Sequence, residues 1–365
     1  MPIDRRLLLN IDWVLLGAAL LLAAIGVAMI ASATHNGRFA GLYMKQLYAL
    51  GLGLVALLLS LTVDYRRLAD RAVLFYGVSL IALLAVLARA PRVAGTRRWF
   101  VLGQLGQLQP SELVKLVAAL FVAKAFAESR KESLGLVDIA GPGAAVGLLS
   151  LLIAAQPDLG TAFCLVPLFL SVAFLAGLRM KAVLGLFVVL LLLGGLGWQF
   201  ALKPYQKERV YIFLGLKQDP QGAGYQKIQS QIAVGSGGLF GKGYKNGSQS
   251  QLGYLPARQT DFIFSVLAEE LGFMGVASVL ALYLLVLWRA LETAQLARDR
   301  VGAFLAAGIA GTLAFQVVYN VAMVAGLVPV KGLPLPLLSY GGSSVLSSLI
   351  GIGLILNVRM RRFVN

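Results

Sequence analysis

The chain has one cysteine, Cys164, and one histidine, His35, among its 365 residues. A lone cysteine provides neither a disulfide framework nor a thiolate metal cluster, and its apolar surroundings predict a small core residue. A lone histidine without supporting ligands gives no basis for a zinc site or a Ser-His-Asp triad. We expect His35 to lie in a solvated loop.

Charged residues are also scarce, at 13%, whereas 59% of the residues are hydrophobic and the mean hydropathy is +0.81. A soluble domain carries about 25% charged residues, so this composition predicts an integral membrane protein. Acidic residues are rarer than basic ones: the chain has 16 Asp and Glu and 32 Lys and Arg, which gives a net charge of +16. The run that begins at Trp13 has no convincing cleavage site, and we read it as a membrane helix rather than a signal peptide.

Long apolar runs recur along the whole chain, and each approaches the roughly 20 residues that a spanning helix needs. We predict an all-α integral membrane protein with one domain, 1–365, ten transmembrane helices, and a long extracytoplasmic loop, 203–261, before the eighth helix. The predicted spans are 12–32, 44–62, 72–88, 110–127, 137–155, 160–176, 182–201, 262–288, 302–326 and 341–358.

Basic residues concentrate in alternate connections, which predicts a multi-pass protein with both termini in the cytoplasm. These inner segments carry Arg5, Arg6, Arg66, Arg67, Arg130, Arg179, Arg359 and Arg361. Two outer segments are basic as well, and they carry Arg89, Arg92, Arg97, Arg98, Lys203, Lys207, Arg209 and Arg258. An outer basic surface indicates an anionic ligand such as phosphate or pyrophosphate, although adhesion to lipid headgroups alone would also explain it.

Three predicted helices begin on this outer side with anion-binding chemistry, at "QPSELVK", "QPDLGT" and "SYGGSS". Pro110 occupies a first-turn position, Asp158 is a predicted N-cap, and Ser343 offers a hydroxyl. Free N–H groups at helix starts bind anions, but such starts are also common without a ligand. Glu112 and Lys115 are three residues apart and can pair, either to lock helix packing or to line a cavity.

The acids near the eighth span raise a separate question, because a carboxylate at the edge of hydrocarbon needs a partner or a purpose. Glu269 and Glu270 point about 100° apart on a helix, so we expect at most one of them to line a cavity. The other is expected to pair with Lys124, an inner-loop base or a backbone group. Asp261 stands at the head of the span, where it could be an N-cap, a functional carboxylate, or both.

The long loop divides into two parts. "YQKERVYIFL" predicts an amphipathic helix on the membrane surface. The following segment is rich in Gly, Gln, Ser and Tyr, which suits sugar hydroxyls, although such loops are also common as simple connections. "GSGGLFGKG" is not a nucleotide-binding P-loop, because the GK[ST] ending is missing and no strand precedes it.

Several stretches together resemble the SEDS family (shape, elongation, division and sporulation), most closely its RodA-like elongation branch. These stretches are "RRWF", "QPSELVK", "AAQPDLGTA", "GAGYQKIQSQIAVGSGGLFGKG", "SQSQLGYLPARQTDFIFSVLAEELG" and "SYGGSS". The resemblance covers essentially the whole chain. It implies a peptidoglycan glycosyltransferase of the bacterial cytoplasmic membrane that polymerises lipid II in cell elongation and shape maintenance. It also implies a class B penicillin-binding protein transpeptidase as partner, for which spans eight and nine offer an exposed face.

The resemblance places the family's essential carboxylate on Asp261, as the general base of an inverting transfer. Family members of this type usually carry His two residues earlier, where this chain has Gln259, so Gln259 is expected only to hydrogen-bond a sugar or to position Asp261. The predicted substrate-binding residues are Lys115, Glu112, Arg97, Arg98, Arg209, Arg258, Gln259 and Ser343. No cofactor is certain, and a divalent cation, Mg²⁺ or Mn²⁺, could help hold the pyrophosphate. A lipid flippase or solute transporter, or a non-catalytic scaffold for the transpeptidase, is the alternative.

Overall fold

A computed structural model describes residues 10–35, 41–91, 96–101, 103, 107–129, 131, 133–201, 203–217 and 222–363. Arg5, Arg6, Arg92 and Arg130 lie outside the described residues. The described elements are α1 (Trp13–Ala33), α2 (Leu42–Thr62), α3 (Tyr65–Asp70), α4 (Ala72–Arg89), β1 (Phe100–Val101), β2 (Gln107–Leu108), α5 (Pro110–Glu128), α6 (Leu136–Ala155), α7 (Leu159–Leu175), α8 (Met180–Leu196), a π-helix (Gly197–Ala201), α9 (Pro204–Phe213), α10 (Ala223–Ser236), α11 (Ser248–Gln251), α12 (Ile263–Gln295), α13 (Arg300–Val324) and α14 (Gly342–Met360).

The all-α membrane architecture is confirmed, since a helix of the described chain lies at each predicted span, with ends within a few residues except at the eighth, which ends at Gln295. Eight of these helices are long and apolar enough to cross a membrane. Of the other two, α7 is a shorter apolar helix and α5 carries Glu112, Lys115, Lys124 and Glu128. The count of ten spans stays a prediction. The two short strands pair antiparallel just before α5, on the side of the bundle that holds Asp261, which we call the outer side.

Helix α12 is broken near its outer end by Gly272, whose φ of 65° and ψ of −163° are not helical. A break frees backbone groups that must be paired in a membrane. The segment 238–243 pairs with them: the Lys242 N–H donates to the Glu269 carbonyl at 3.0 Å, and the Phe273 N–H donates to the Gly238 carbonyl at 2.9 Å. A β-carbon on Gly272 would lie 2.3 Å from the Gly241 nitrogen, so this close approach requires glycine.

Both acids at the break are buried, and both bind the long loop. Glu269 accepts from Lys242 Nζ at 2.7 Å and from the Gln249 N–H at 2.9 Å. Glu270 accepts from the Ser32 hydroxyl of α1 at 2.6 Å. The predicted partner Lys124 is wrong, because Lys124 pairs with Asp70 at 2.6 Å. The alternative of a backbone group is confirmed for Glu269, which accepts from the Gln249 N–H. The break at Gly272 explains the difference, since it lets the loop fold back against α12.

The Gly- and Ser-rich part of the long loop contains more helix than its composition indicates, since α10 and α11 fall within it. The predicted helix at "YQKERVYIFL" is present as α9. Helix α10 closes the outer end of α13: Ser230 Oγ donates to the Val324 carbonyl at 3.0 Å and Gln231 Nε2 donates to the Ala325 carbonyl at 3.1 Å. These bonds pair carbonyls that a helix end leaves free.

Residues 325–341, which include the connection between the ninth and tenth predicted spans, enter the helix bundle. The Tyr283 hydroxyl, well inside α12, donates to the Pro336 carbonyl at 2.5 Å. A β-carbon on Gly26, in the middle of α1, would lie 2.6 Å from the Leu337 carbonyl oxygen. Leu337 is 3% exposed and has a φ of 65°, an uncommon conformation for a side chain of this size. We call 325–341 the re-entrant segment.

Candidate functional site

The peptide that carries Asp261 is fastened to the re-entrant segment by hydrogen bonds on both sides. The Tyr340 N–H donates to the Gln259 carbonyl at 2.9 Å, and Ser339 Oγ donates to the Thr260 carbonyl at 2.6 Å. Asn320 of α13 donates from Nδ2 to the Asp261 carbonyl at 3.0 Å and to the Leu333 carbonyl at 2.9 Å. The backbone of Asp261 is therefore held in place, and its side-chain carboxylate takes part in none of these hydrogen bonds.

The Asp261 carboxylate is half-buried, and within the described part of the chain no donor hydrogen-bonds it. It lies against Gly332, where a β-carbon would be 3.4 Å from Oδ2, and Gly332 itself is exposed. The N-cap alternative is wrong, because Phe262 occupies the N-cap of α12 and no side chain caps that helix. A carboxylate with free lone pairs beside an open backbone position can accept a proton from a bound group.

Three charged side chains act on this carboxylate. Burial raises the pKa of Asp261, the charges of Arg209 and Arg98 lower it, and the charge of Asp158 raises it, so that together they raise this pKa from 3.8 to about 6. The carboxylate is therefore ionised at neutral pH but is a stronger base than an ordinary aspartate, as a general base should be.

Arg98 and Asp158 form the wall of the site nearest the start of α7. Arg98 donates from Nε to the Gln156 carbonyl at 3.1 Å and from Nη2 to the Pro157 carbonyl, and its Nη1 lies 3.8 Å from Asp158. Asp158 is the N-cap of α7, as predicted, and accepts from the Thr161 N–H at 3.3 Å. It also accepts from Gln109 Nε2 at 2.7 Å. Arg98 is thus positioned by backbone carbonyls at the helix start.

Arg209 reaches the site from α9 and donates from Nη1 to the Val330 carbonyl at 3.1 Å. The next residue, Lys331, places its ammonium 3.9 Å from the centroid of the Phe163 ring. Among the described residues, neither cation has a carboxylate within 4.0 Å. Arg209 is therefore bonded to the residue before Lys331, and the residue after Lys331 is Gly332, which lies beside the Asp261 carboxylate.

Glu112 and Lys115 pair as predicted, at 2.9 Å, and both are buried. Glu112 also accepts from Ser347 Oγ at 2.9 Å. The pair lines a small pocket between α5, α13 and α14, together with Leu116, Ile309, Thr312, Leu313, Gln316, Ser347, Ser348 and Gly351. Gln316 is 2% exposed, and its Nε2 has no hydrogen-bond partner among the described residues. The pocket lining mixes polar and apolar side chains, and Gln316 lies one turn below the Asn320 that holds Asp261.

The remaining predicted residues lie apart from the Asp261 carboxylate. Arg97 is exposed and donates to the Leu87 carbonyl at 3.2 Å, and Arg258 donates to the Ser250 carbonyl. Ser343 joins α14 to the strand before α5, since its Oγ accepts from the Gln109 N–H at 2.9 Å and donates to the Gln107 carbonyl at 3.2 Å. Gln259 contributes its backbone carbonyl to the bond with Tyr340.

Sequence reasoning missed Lys331, Gly332, Asn320, Gln316 and Ser347 as parts of the site. The available signal was the run "VPVKGLPLPLLSYGG", whose prolines and glycines are incompatible with a continuous helix. The described residues contain no group of three His, Cys, Asp or Glu side chains that could hold a metal ion.

Comparisons with known proteins find relatives that match this chain over nearly its whole length. The family model described as "Cell cycle protein", FTSW_RODA_SPOVE, matches residues 7–363. The peptidoglycan glycosyltransferase MrdB of Escherichia coli K12 is 37% identical over 349 residues, which are 94% of this chain and 92% of MrdB. The structure of the Thermus thermophilus rod shape determining protein RodA is 34% identical, with a TM-score of 0.73 over 97% of this chain and 98% of that chain.

A chain from a solved structure described as "Structural coordination of polymerization and crosslinking by a peptidoglycan synthase complex" is more similar still. It is 40% identical, with a TM-score of 0.83, over 97% of this chain and 99% of that chain.

Proposed function

Because this chain belongs to the FtsW, RodA and SpoVE family of cell cycle proteins and is a peptidoglycan glycosyltransferase, we propose that it polymerises lipid II with Asp261 as general base. The observation that carries this proposal is the Asp261 carboxylate, which is held by its backbone, free of hydrogen bonds among the described residues, and flanked by Arg98 and Arg209.

The reaction joins two sugars. The 4-hydroxyl oxygen of the acceptor sugar forms a bond to the anomeric carbon of the donor, and the bond from that carbon to the phosphate oxygen breaks. The hydroxyl proton passes to Asp261, and the electron pair of the broken bond leaves on the diphosphate. An α-linked donor that gives a β-linked product requires inversion, which needs one base and no covalent intermediate.

The leaving diphosphate gains charge as the bond breaks, so cations near it lower the barrier. Arg98 and Arg209 are the predicted cations that act on the Asp261 carboxylate, and they could hold phosphate oxygens beside it. Lys115 is buried and already paired with Glu112 at 2.9 Å. We therefore assign Lys115 and Glu112 to the support of the site rather than to the diphosphate.

The setting of the reaction is part of the same proposal. The substrate is an undecaprenyl-linked disaccharide-pentapeptide at the outer face of the bacterial cytoplasmic membrane, and the role is in cell elongation. The name of the similar RodA protein supports a role in rod shape, and the similar synthase complex supports a class B penicillin-binding protein as partner. The apolar face of α12 and α13 is available to such a partner.

The test is gel-resolved polymerisation of purified lipid II by the detergent-solubilised protein. Asp261→Asn keeps the shape and removes the basic oxygen, so we expect chain formation to fall by 10³-fold or more, about the upper range for a general base. Lys227→Met, a substitution on α10 away from the Asp261 peptide, should keep wild-type activity. The melting temperature of each variant shows whether the fold is intact.

Full polymerisation by a folded Asp261→Asn variant would remove Asp261 from the mechanism. Lipid II in detergent also distinguishes transfer from transport, because polymer formed without a second compartment contradicts a flippase or transporter as the sole function. Repeating the assay with EDTA tests the divalent cation, and a complete loss restored by Mg²⁺ or Mn²⁺ would show that polymerisation requires it.

A further inference from the structure

The re-entrant segment carries one cation for which the mechanism above has no role. The Lys331 backbone is fixed on several sides: Tyr319 Oη donates to the Pro329 carbonyl at 2.9 Å, Arg209 donates to the Val330 carbonyl at 3.1 Å, and Asn320 donates to the Leu333 carbonyl at 2.9 Å. A rigid backbone leaves only the side chain of Lys331 able to move.

The Lys331 side chain is also held, but by an aromatic ring instead of an acceptor. Its ammonium lies 3.9 Å from the centroid of Phe163, a residue of α7 that is 46% exposed. Such contact orients an ammonium without neutralising it. Across the described chain, no carboxylate lies within 4.0 Å of Lys331, so its charge stays available to a ligand.

Arg209 lies beside Lys331 with the same sign of charge. Burial and, to a smaller extent, the charge of Arg209 together lower the pKa of Lys331 from 10.5 to about 8. Two like charges near each other repel, and an anion placed between them removes this cost. The titratable and charged groups around Lys331 are Arg209 from α9, Tyr319 from α13, Asp261 before α12, and Asp158 and Arg98 at the start of α7.

We propose that Lys331 and Arg209, with Phe163 holding the Lys331 ammonium, form a binding site for the two phosphates of the donor substrate. The chain order Val330, Lys331, Gly332 places this site next to the Asp261 carboxylate, because a β-carbon on Gly332 would lie 3.4 Å from Asp261 Oδ2. Arg209 presents a planar fork and Lys331 a movable point charge, a combination that suits phosphate oxygens. The inference rests on the proposed function and adds Lys331 and Phe163 to it as binding and positioning residues.

The probe is inorganic pyrophosphate. Its binding is measured as the increase in the melting temperature of the full chain in phosphatidylcholine nanodiscs. We expect Lys331→Met to weaken pyrophosphate binding by about tenfold or more, because one of two charge-assisted contacts is lost. Phe163→Leu should weaken it less. Lys227→Met is the matched control, since Lys227 also lies over an aromatic ring, Phe213 at 5.3 Å, and should bind pyrophosphate like the wild type.

The pH profile of kcat/KM for lipid II gives a second readout that a merely structural role would not move. Lys331 must be protonated to bind phosphate, so activity should fall as the pH rises through about 8 in the free enzyme. Lys331→Arg keeps its charge at high pH and should move this fall to a higher pH.

Each result separates the binding site from the proposed function. Asp261→Asn should still bind pyrophosphate while losing polymerisation. Pyrophosphate binding by Lys331→Met at wild-type strength, or an unchanged alkaline limb in Lys331→Arg, would overturn the site and leave the function standing. Nanodiscs that contain phosphatidylglycerol test the other source of phosphate: stabilisation by that lipid, lost in Lys331→Met while pyrophosphate binding persists, would assign Lys331 to a lipid headgroup instead.

Discussion

Asp261 combines a fixed backbone with an unbonded carboxylate, and this combination sets how its charge responds to pH. The base must be ionised to accept a proton, and burial raises its pKa to about 6. We therefore expect kcat/KM to rise through about pH 6 and to fall about tenfold per pH unit well below it. The pH profile of lipid II polymerisation measures this limb directly.

The Arg98→Gln variant tests whether this acid limb belongs to Asp261. The charge of Arg98 lowers the pKa of Asp261, so its removal should move the acid limb to a higher pH. Lys227→Met should leave the limb in place. An acid limb near pH 4 in the wild type would mean that the carboxylate is solvated in the working enzyme and would contradict the burial described above.

The Glu112–Lys115 pair could be predicted at the residue scale because it depends on the spacing within one helix. Lys331 could not, because its role depends on Arg209 and Phe163, which are more than a hundred positions away in the chain. The lysine partner of Glu269 was missed for a related reason, since a loop that folds back at Gly272 brings Lys242 to it.

At the scale of elements, the contact between α7 and the re-entrant segment controls the geometry of the site. Gly160 is in the first turn of α7, and a β-carbon there would lie 2.7 Å from the Gly332 carbonyl oxygen. Gly160→Ala must push Gly332 away from its place beside Asp261. We expect polymerisation to fall by about tenfold to a hundredfold, because a displacement of about 1 Å at a reacting centre can cost that much.

Gly147→Ala is the control for that prediction, since it lies in α6 and its β-carbon would meet no atom within 4 Å. It should keep full activity and a melting temperature at least equal to that of the wild type. Wild-type turnover by Gly160→Ala with an unchanged melting temperature would contradict this prediction, because it would show that α7 and the re-entrant segment can move apart without loss of activity.

The helices and the re-entrant segment differ in how far hydropathy predicts them. A spanning helix is specified by about 20 local residues, so all ten predicted spans coincide with helices. The re-entrant segment is apolar and short, and its sequence is equally compatible with a surface loop. Its position inside the bundle becomes evident only from its contacts with Tyr283 and Gly26. How deeply the segment enters the bundle is therefore determined by the helices that pack against it.

For the whole molecule, the orientation in the membrane remains a prediction from the distribution of basic residues. The buried Cys164 can be replaced by serine to give a cysteine-free background for labelling. Leu252→Cys, at an exposed position of the long loop, should react with a membrane-impermeant maleimide in intact cells. Lys131→Cys, between α5 and α6, should react only after permeabilisation.

The opposite labelling pattern would place the Asp261 surface in the cytoplasm and contradict the proposed function. Reaction at both positions in intact cells would instead indicate leakage, which an endogenous cytoplasmic thiol protein reports in the same sample.

The depth of the re-entrant segment has a consequence for biogenesis. Its seat is made by α1, α12 and α13, which a ribosome delivers first, and the segment itself emerges after them. A nascent chain that stops before it would present Asp261 without Gly332, Ser339 or Lys331 around it. The enzyme therefore gains competence only late in translation, and an unfinished copy in the translocon has no assembled centre with which to consume precursor.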